Sequence, residues 1–119
     1  VYALKVMSGQ DFTLVSDVFA EIGVPEKGIL SHTIYNNDAV KVILFGFAAG
    51  QELTAHTAPM PAQILVLEGE AAVTLGEEHM EVRAGAFIHM KPHLTHGIVA
   101  RTPLRMLLTL LKSARAAAS

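Results

Sequence analysis

The apolar residues of this chain come in short runs, and each run is stopped by turn residues before it reaches helical length. The heaviest are Val40 to Phe47, Ile64 to Leu67 and Leu104 to Leu111. Around them stand Asn36-Asn37-Asp38, Gly50, Glu68-Gly69, Gly76-Glu77-Glu78, Ala84-Gly85, Lys91-Pro92 and Thr102-Pro103. Brief apolar runs bounded by Gly, Pro, Asn and Asp read as strands. Turn signals recurring about every 8–12 residues read as a sandwich or barrel. The expectation is an all-β antiparallel barrel, one domain over residues 1–119.

In order, strands are expected over residues 2–7, 29–35, 39–49, 64–67, 70–75, 80–83, 86–90, 96–100 and 104–111. Ser16 or Asp17 caps a short helical turn over residues 18–22, which Gly23 and Pro25 stop. The strand over 70–75 is expected to pair back on the one ending at Gly69, through a tight Glu68-Gly69-Glu70 connection. The alanine-rich residues 112–119 read as a frayed helical turn or disorder.

Composition narrows the function classes. A net charge of −2 provides no basic patch for nucleic acid. The absence of cysteine removes disulfides and thiolate ligands. No apolar run approaches the roughly 20 residues that span a bilayer, and no basic segment followed by an apolar one opens the chain. A cytoplasmic protein without membrane or nucleic-acid partners is expected. The hydrophobic content of 51% and mean hydropathy of +0.41 exceed what a small barrel interior absorbs. Residues 40–47 and 106–111 are apolar at nearly every position, so side chains such as Phe45 and Phe47, or their alternates, would face outward. A two-fold homodimer is therefore expected, with the sheet containing residues 39–49 at or near the interface.

The stretch from Gly50 to Gly69, GQELTAHTAPMPAQILVLEG, resembles the first motif of the cupin superfamily, G-x5-H-x-H-x3-E-x6-G. Gly50, His56 and Gly69 fall on it, while Ala58 and Ala62 occupy the second histidine and the glutamate positions. GAFIHMKPHLTHGIVA from Gly85 resembles the second motif, G-x5-P-x-G-x2-H-x3-N. Gly85 and His96 match; Lys91, His93 and Ala100 stand at the proline, glycine and asparagine positions. The resemblance covers about residues 38–111 and implies the double-stranded β-helix, or jelly-roll, barrel of small single-domain cupins.

The resemblance also implies a divalent metal inside the barrel, of whose four ligands His56 and His96 are kept. Catalytic zinc sites use three protein ligands plus water, so either a third is recruited, His93 near the barrel mouth or His89 if it points inward, or the metal site is lost. Gln63 beside the vacated glutamate position is turned away by strand alternation. An imidazole-rich site suits zinc, nickel, copper or iron. Two function classes follow. One is a module binding a small molecule in the barrel, through the histidines or through a metal they hold. The other is a metal-dependent dioxygenase, isomerase or decarboxylase acting on a small organic substrate. Met60 and Met90 flank the site as pocket lining, whereas His32 and His79 read as exposed. No paired carboxylates, Ser/His/Asp order or phosphate-cradling glycine loop supports a nucleophilic enzyme, and no catalytic residue is assigned.

Overall fold

The computed structural model describes residues 6–9 and 11–113. Most of the expected first strand and the tail 114–119 lie outside them. Eleven strands and one 3-10 turn are described. A short hairpin, β1 (Val6–Ser8) with β2 (Thr13–Val15), precedes the turn Val18–Ala20. The Asp17 carboxylate caps that turn by accepting the Phe19 N–H at 3.0 Å, the role expected of an N-cap aspartate.

The barrel proper is two facing sheets. One has five strands in the order β3 (Ile29–Asn36), β4 (Val40–Phe47), β11 (Leu104–Leu111), β6 (Ala62–Glu68), β9 (Phe87–Met90). The other has four, β5 (Glu52–His56), β10 (His96–Ala100), β7 (Glu70–Leu75), β8 (Glu78–Arg83). Every pairing is antiparallel. This is the expected all-β jelly-roll, and its strand bounds lie close to the apolar runs. β5 is the exception: it carries one large apolar residue, Leu53, and so has no periodicity to read. No helix among the described residues is long and apolar enough to cross a membrane.

The connection at Gly69 corrects one expectation. β7 does not pair back on β6; β6 pairs with β11 and β9, and β7 with β10 and β8. A single residue between strands is too short for a two-residue hairpin loop, so the chain turns a corner and changes sheet. Gly69 has φ +92°, and a Cβ there would lie 2.2 Å from the Pro103 carbonyl oxygen. The corner is closed by Thr102, whose hydroxyl accepts the Glu70 N–H at 3.0 Å. Gly76-Glu77, by contrast, joins β7 and β8 as the hairpin its residues suggest, with Leu75 opposite Glu78.

Strand alternation sorts the side chains. Phe47, Leu104, Met106, Val66 and Met90 from the larger sheet meet Ala71, Val73, Ile98 and Ala100 from the smaller one, all buried. Phe45 and Phe47 therefore face inward, their rings 6.1 Å apart. Their alternates Leu44 and Gly46 face outward yet are not left to water: Leu44 is fully buried, and residues 22–23 cover Gly46, with the Gly23 carbonyl lying over it. Arg105 fastens this cover. One guanidinium nitrogen donates to the Phe19 and Ile22 carbonyls at 2.9 and 3.2 Å, another to the Glu68 carboxylate, and the ion sits 4.7 Å from the Phe19 ring centre. Only a planar fork with several donors reaches all of these at once. On the outer face of the smaller sheet, the exposed Glu81 accepts two hydrogen bonds from Arg101 and raises the guanidinium pKa above its ordinary value.

Arg105→Ala is expected to destabilise the protein by about 2 kcal/mol in urea unfolding. Hydrogen exchange should quicken at residues 18–23 while the amides of β6 and β11 stay protected. Equal loss of protection throughout would contradict the clamp.

Candidate functional site

His56 ends β5, an edge strand of the smaller sheet, and His96 begins β10 beside it; the two are register partners. Their rings lie 4.4 Å apart, tilted by 54°. What allows the approach is Gly97, because a Cβ there would stand 3.0–3.1 Å from the backbone of Ala55 and the Leu53 carbonyl. The register also slips between His96 and Ile98, a bulge of the kind that re-aims a side chain next to a site. Gly97 is thus a site-building residue that the motif comparison misses. Its sequence signal is a glycine inside an apolar strand, which marks a bulge or a close backbone approach.

The histidine pair lines a cavity of about 240 Å³ between the sheets. His56 is exposed at its rim and His96 is half-buried. The other lining residues are apolar: Phe45, Leu53, Ile64, Val73, Leu75, Ile88, Met90, Met106, Leu108 and Ile98, with Gly97. Nδ1 of His56 lies 2.8 Å from the Thr54 carbonyl, and Nδ1 of His96 lies 2.9 Å from that of Leu94. A carbonyl oxygen only accepts, so each Nδ1 carries a proton. In a neutral ring this leaves Nε2 as the acceptor or ligating atom, oriented by the bond on the other side of the ring.

The other expected ligands go elsewhere. His89 lies on β9 between buried Ile88 and Met90, so it faces outward; there it is exposed, with Nδ1 3.2 Å from the Gln63 amide nitrogen. It does not line the cavity, because a side-chain period of two puts it on the opposite face. Gln63 faces outward with it, as expected. His93 sits in the corner between β9 and β10, exposed and outside the cavity lining. Its φ is +68° and its N–H donates to the Ala58 carbonyl at 2.7 Å. That left-handed turn explains why the motif position occupied by His93 calls for glycine, and histidine is among the side chains that tolerate it. Met90 lines the cavity and Met60 does not. His32 and His79 are exposed, His32 lying 3.8 Å from Glu21 and His79 3.1 Å from the Thr74 hydroxyl.

A resident metal does not fit this donor set. Among the described residues, no group of three or more His, Cys, Asp or Glu side chains could hold an ion. Ala62, at the glutamate position, is buried in the core with 2% exposure. Two imidazoles alone fall short of the three protein ligands of open metal sites, and among the described residues no carboxylate lines the cavity to balance the ion's charge.

A small two-sheet β-barrel with a histidine-rimmed internal cavity defines the class of protein. The cupin domain profile matches residues 43–110, and the chain belongs to the cupin family. A conserved protein of unknown function from Streptococcus pyogenes is similar at 25% identity, over 94% of this chain and 96% of that one, with TM-score 0.77. A cupin superfamily protein from Desulfitobacterium hafniense matches at 23% identity, over 92% and 98%, with TM-score 0.78. An RmlC-like cupin from Shewanella frigidimarina matches at 24%, over 88% of each chain, with TM-score 0.70. No curated protein matches.

His93→Gly is expected to keep the fold and to raise stability by about 1 kcal/mol, since glycine relieves the left-handed backbone. A thermal melt measures this. A fall in stability would show that the His93 side chain, and not only its backbone, holds the corner.

Proposed function

We propose that the protein is a binding module, holding a small organic molecule in the barrel between the two sheets. The observation that carries this reading is the apolar cavity of about 240 Å³ with its polar atoms confined to one histidine pair. Concave apolar sites with a few convergent polar groups are the usual form of a small-molecule pocket. In this role His56 and His96 accept hydrogen bonds from the ligand through Nε2, while the apolar walls supply affinity. The enzyme alternative needs a metal completed by donors from outside the chain, such as the ligand itself or water.

Elemental analysis of protein purified without a histidine tag separates the two. The expected result is well below one transition metal per chain, together with saturable binding of small apolar fragments seen in the methyl NMR signals of Met90 and Met106. A stoichiometric zinc, nickel, copper or iron, lost in both His56→Ala and His96→Ala, would replace the binding reading with the enzyme.

We further propose that the protein works as a two-fold homodimer. The self-made cover over Gly46 stops short of the far side of the same sheet. There Leu65 and Phe87, cross-strand partners, are 37% and 61% exposed, next to Leu107. Their position on one face of one sheet suits a self-complementary contact. Light scattering at micromolar concentration should give about twice 12.7 kDa, and Phe87→Glu should give the monomer with an unchanged β-sheet circular dichroism spectrum. A monomer throughout that range for the unaltered chain would end the proposal.

A further inference from the structure

We infer that the molecule this cavity selects is a neutral, single-ring phenol whose hydroxyl donates to Nε2 of His96; this rests on the binding role proposed above. Four observations converge on that chemistry.

The first is charge. Among the described residues, no Lys, Arg, Asp or Glu lines the cavity. An ammonium brought inside would lose its hydration with no counter-ion to replace it, and a carboxylate would find one only where His56 or His96 took up a proton; between neutral rings either charge is strongly unfavourable. Cationic ligands are therefore rejected, and anionic ones are disfavoured against the neutral histidine pair.

The second is size. An apolar cavity of about 150 Å³ suffices for benzene, so about 240 Å³ holds one ring with a small substituent. The third is the wall. One aromatic ring, that of Phe45, and two methionine side chains, Met90 and Met106, line the interior. Ring edges and faces pack well against both, which favours an aromatic body over an aliphatic one of equal volume.

The fourth is the polar end. Nδ1 of His96 is engaged with the Leu94 carbonyl, and among the described residues no hydrogen bond is made by its Nε2. That nitrogen is an acceptor in the neutral ring, so it wants a donor. A hydroxyl supplies one, and an ether or a methyl group does not. His56 stands at the exposed rim, where water can satisfy its own Nε2. The half-buried His96 has less access to water, and so it decides selectivity.

The test uses the full chain and three ring compounds of similar size at neutral pH: phenol, toluene and benzoate. Binding is followed by the methyl NMR signals of Ile64, Ile88, Met90 and Met106. Phenol should bind about tenfold more tightly than toluene, the value of one satisfied hydrogen bond in a desolvated site, and benzoate more weakly than toluene. In His96→Leu the phenol advantage should vanish, and in His96→Gln, which keeps an acceptor, part of it should return. Should His96→Leu fail to fold, the phenol-to-toluene ratio of the unaltered chain still decides the matter. Toluene binding as tightly as phenol leaves a working cavity but overturns the donor selection, and so does benzoate binding most tightly. If neither phenol nor toluene binds, the binding reading itself falls, and this inference with it.

Discussion

The structure depends on two sheets turning their apolar faces towards each other across one shared interior. Phe47, Met90, Leu104 and Met106 on the larger sheet meet Ala71, Val73, Ile98 and Ala100 on the smaller. Side chains of the two inner faces fill the space between packed sheets in this way. This facing requires the chain to change sheet between β6 and β7. The corner at Gly69 does so, with a backbone that only glycine fits beneath the Pro103 carbonyl. Had β7 paired with β6, both strands would lie in one sheet, and the interior would lose its second wall.

The site inherits its geometry from the same arrangement. His56 and His96 meet because β5 and β10 are neighbours and because Gly97 brings their backbones close. Each ring is then locked by a carbonyl two residues upstream. The pair so formed is oriented as metal-binding histidines are, by a hydrogen bond on the ring nitrogen that faces away from the ion. It lacks the carboxylate and the further imidazole that would complete such a site, since Ala62 and Ala58 stand where those groups belong. Methyl groups in those places leave an apolar interior, in which the unmet acceptor of a histidine is the most specific feature. That is the physical basis of the proposed recognition role.

The outer face of the five-stranded sheet is divided between two solutions to one problem. A strand apolar on both sides must be covered on both sides. Around Gly46 the chain covers itself, with residues 18–23 held down by Arg105 through carbonyl, carboxylate and aromatic contacts. Around Leu65 and Phe87 no part of the described chain does the same. The asymmetry arises because the cover is short and its anchor, Arg105, lies opposite Gly46 rather than further along the sheet.

Residue order alone determined most of the strands and their limits, though not β2 or β5, together with the Gly76-Glu77 hairpin, a turn capped at Ser16 or Asp17, and the pairing of His56 with His96 as candidates. These are local properties: period, turn chemistry and motif spacing act over a few residues and leave their mark in the sequence. Strand partners are not local. Nothing in Glu68-Gly69-Glu70 distinguishes a hairpin from a corner, because the difference lies in Pro103 and Thr102, over thirty residues away. Nor could Phe45 be assigned inside and Leu44 outside, since both are apolar and a strand's face is set by what packs on it. His89 and His93 look like ligands by proximity in sequence, yet alternation turns one outward and a left-handed backbone holds the other in a corner. Tertiary structure decided which histidines share a cavity, because that choice depends on register between strands distant in the chain, and one glycine, Gly97, sets how closely they approach.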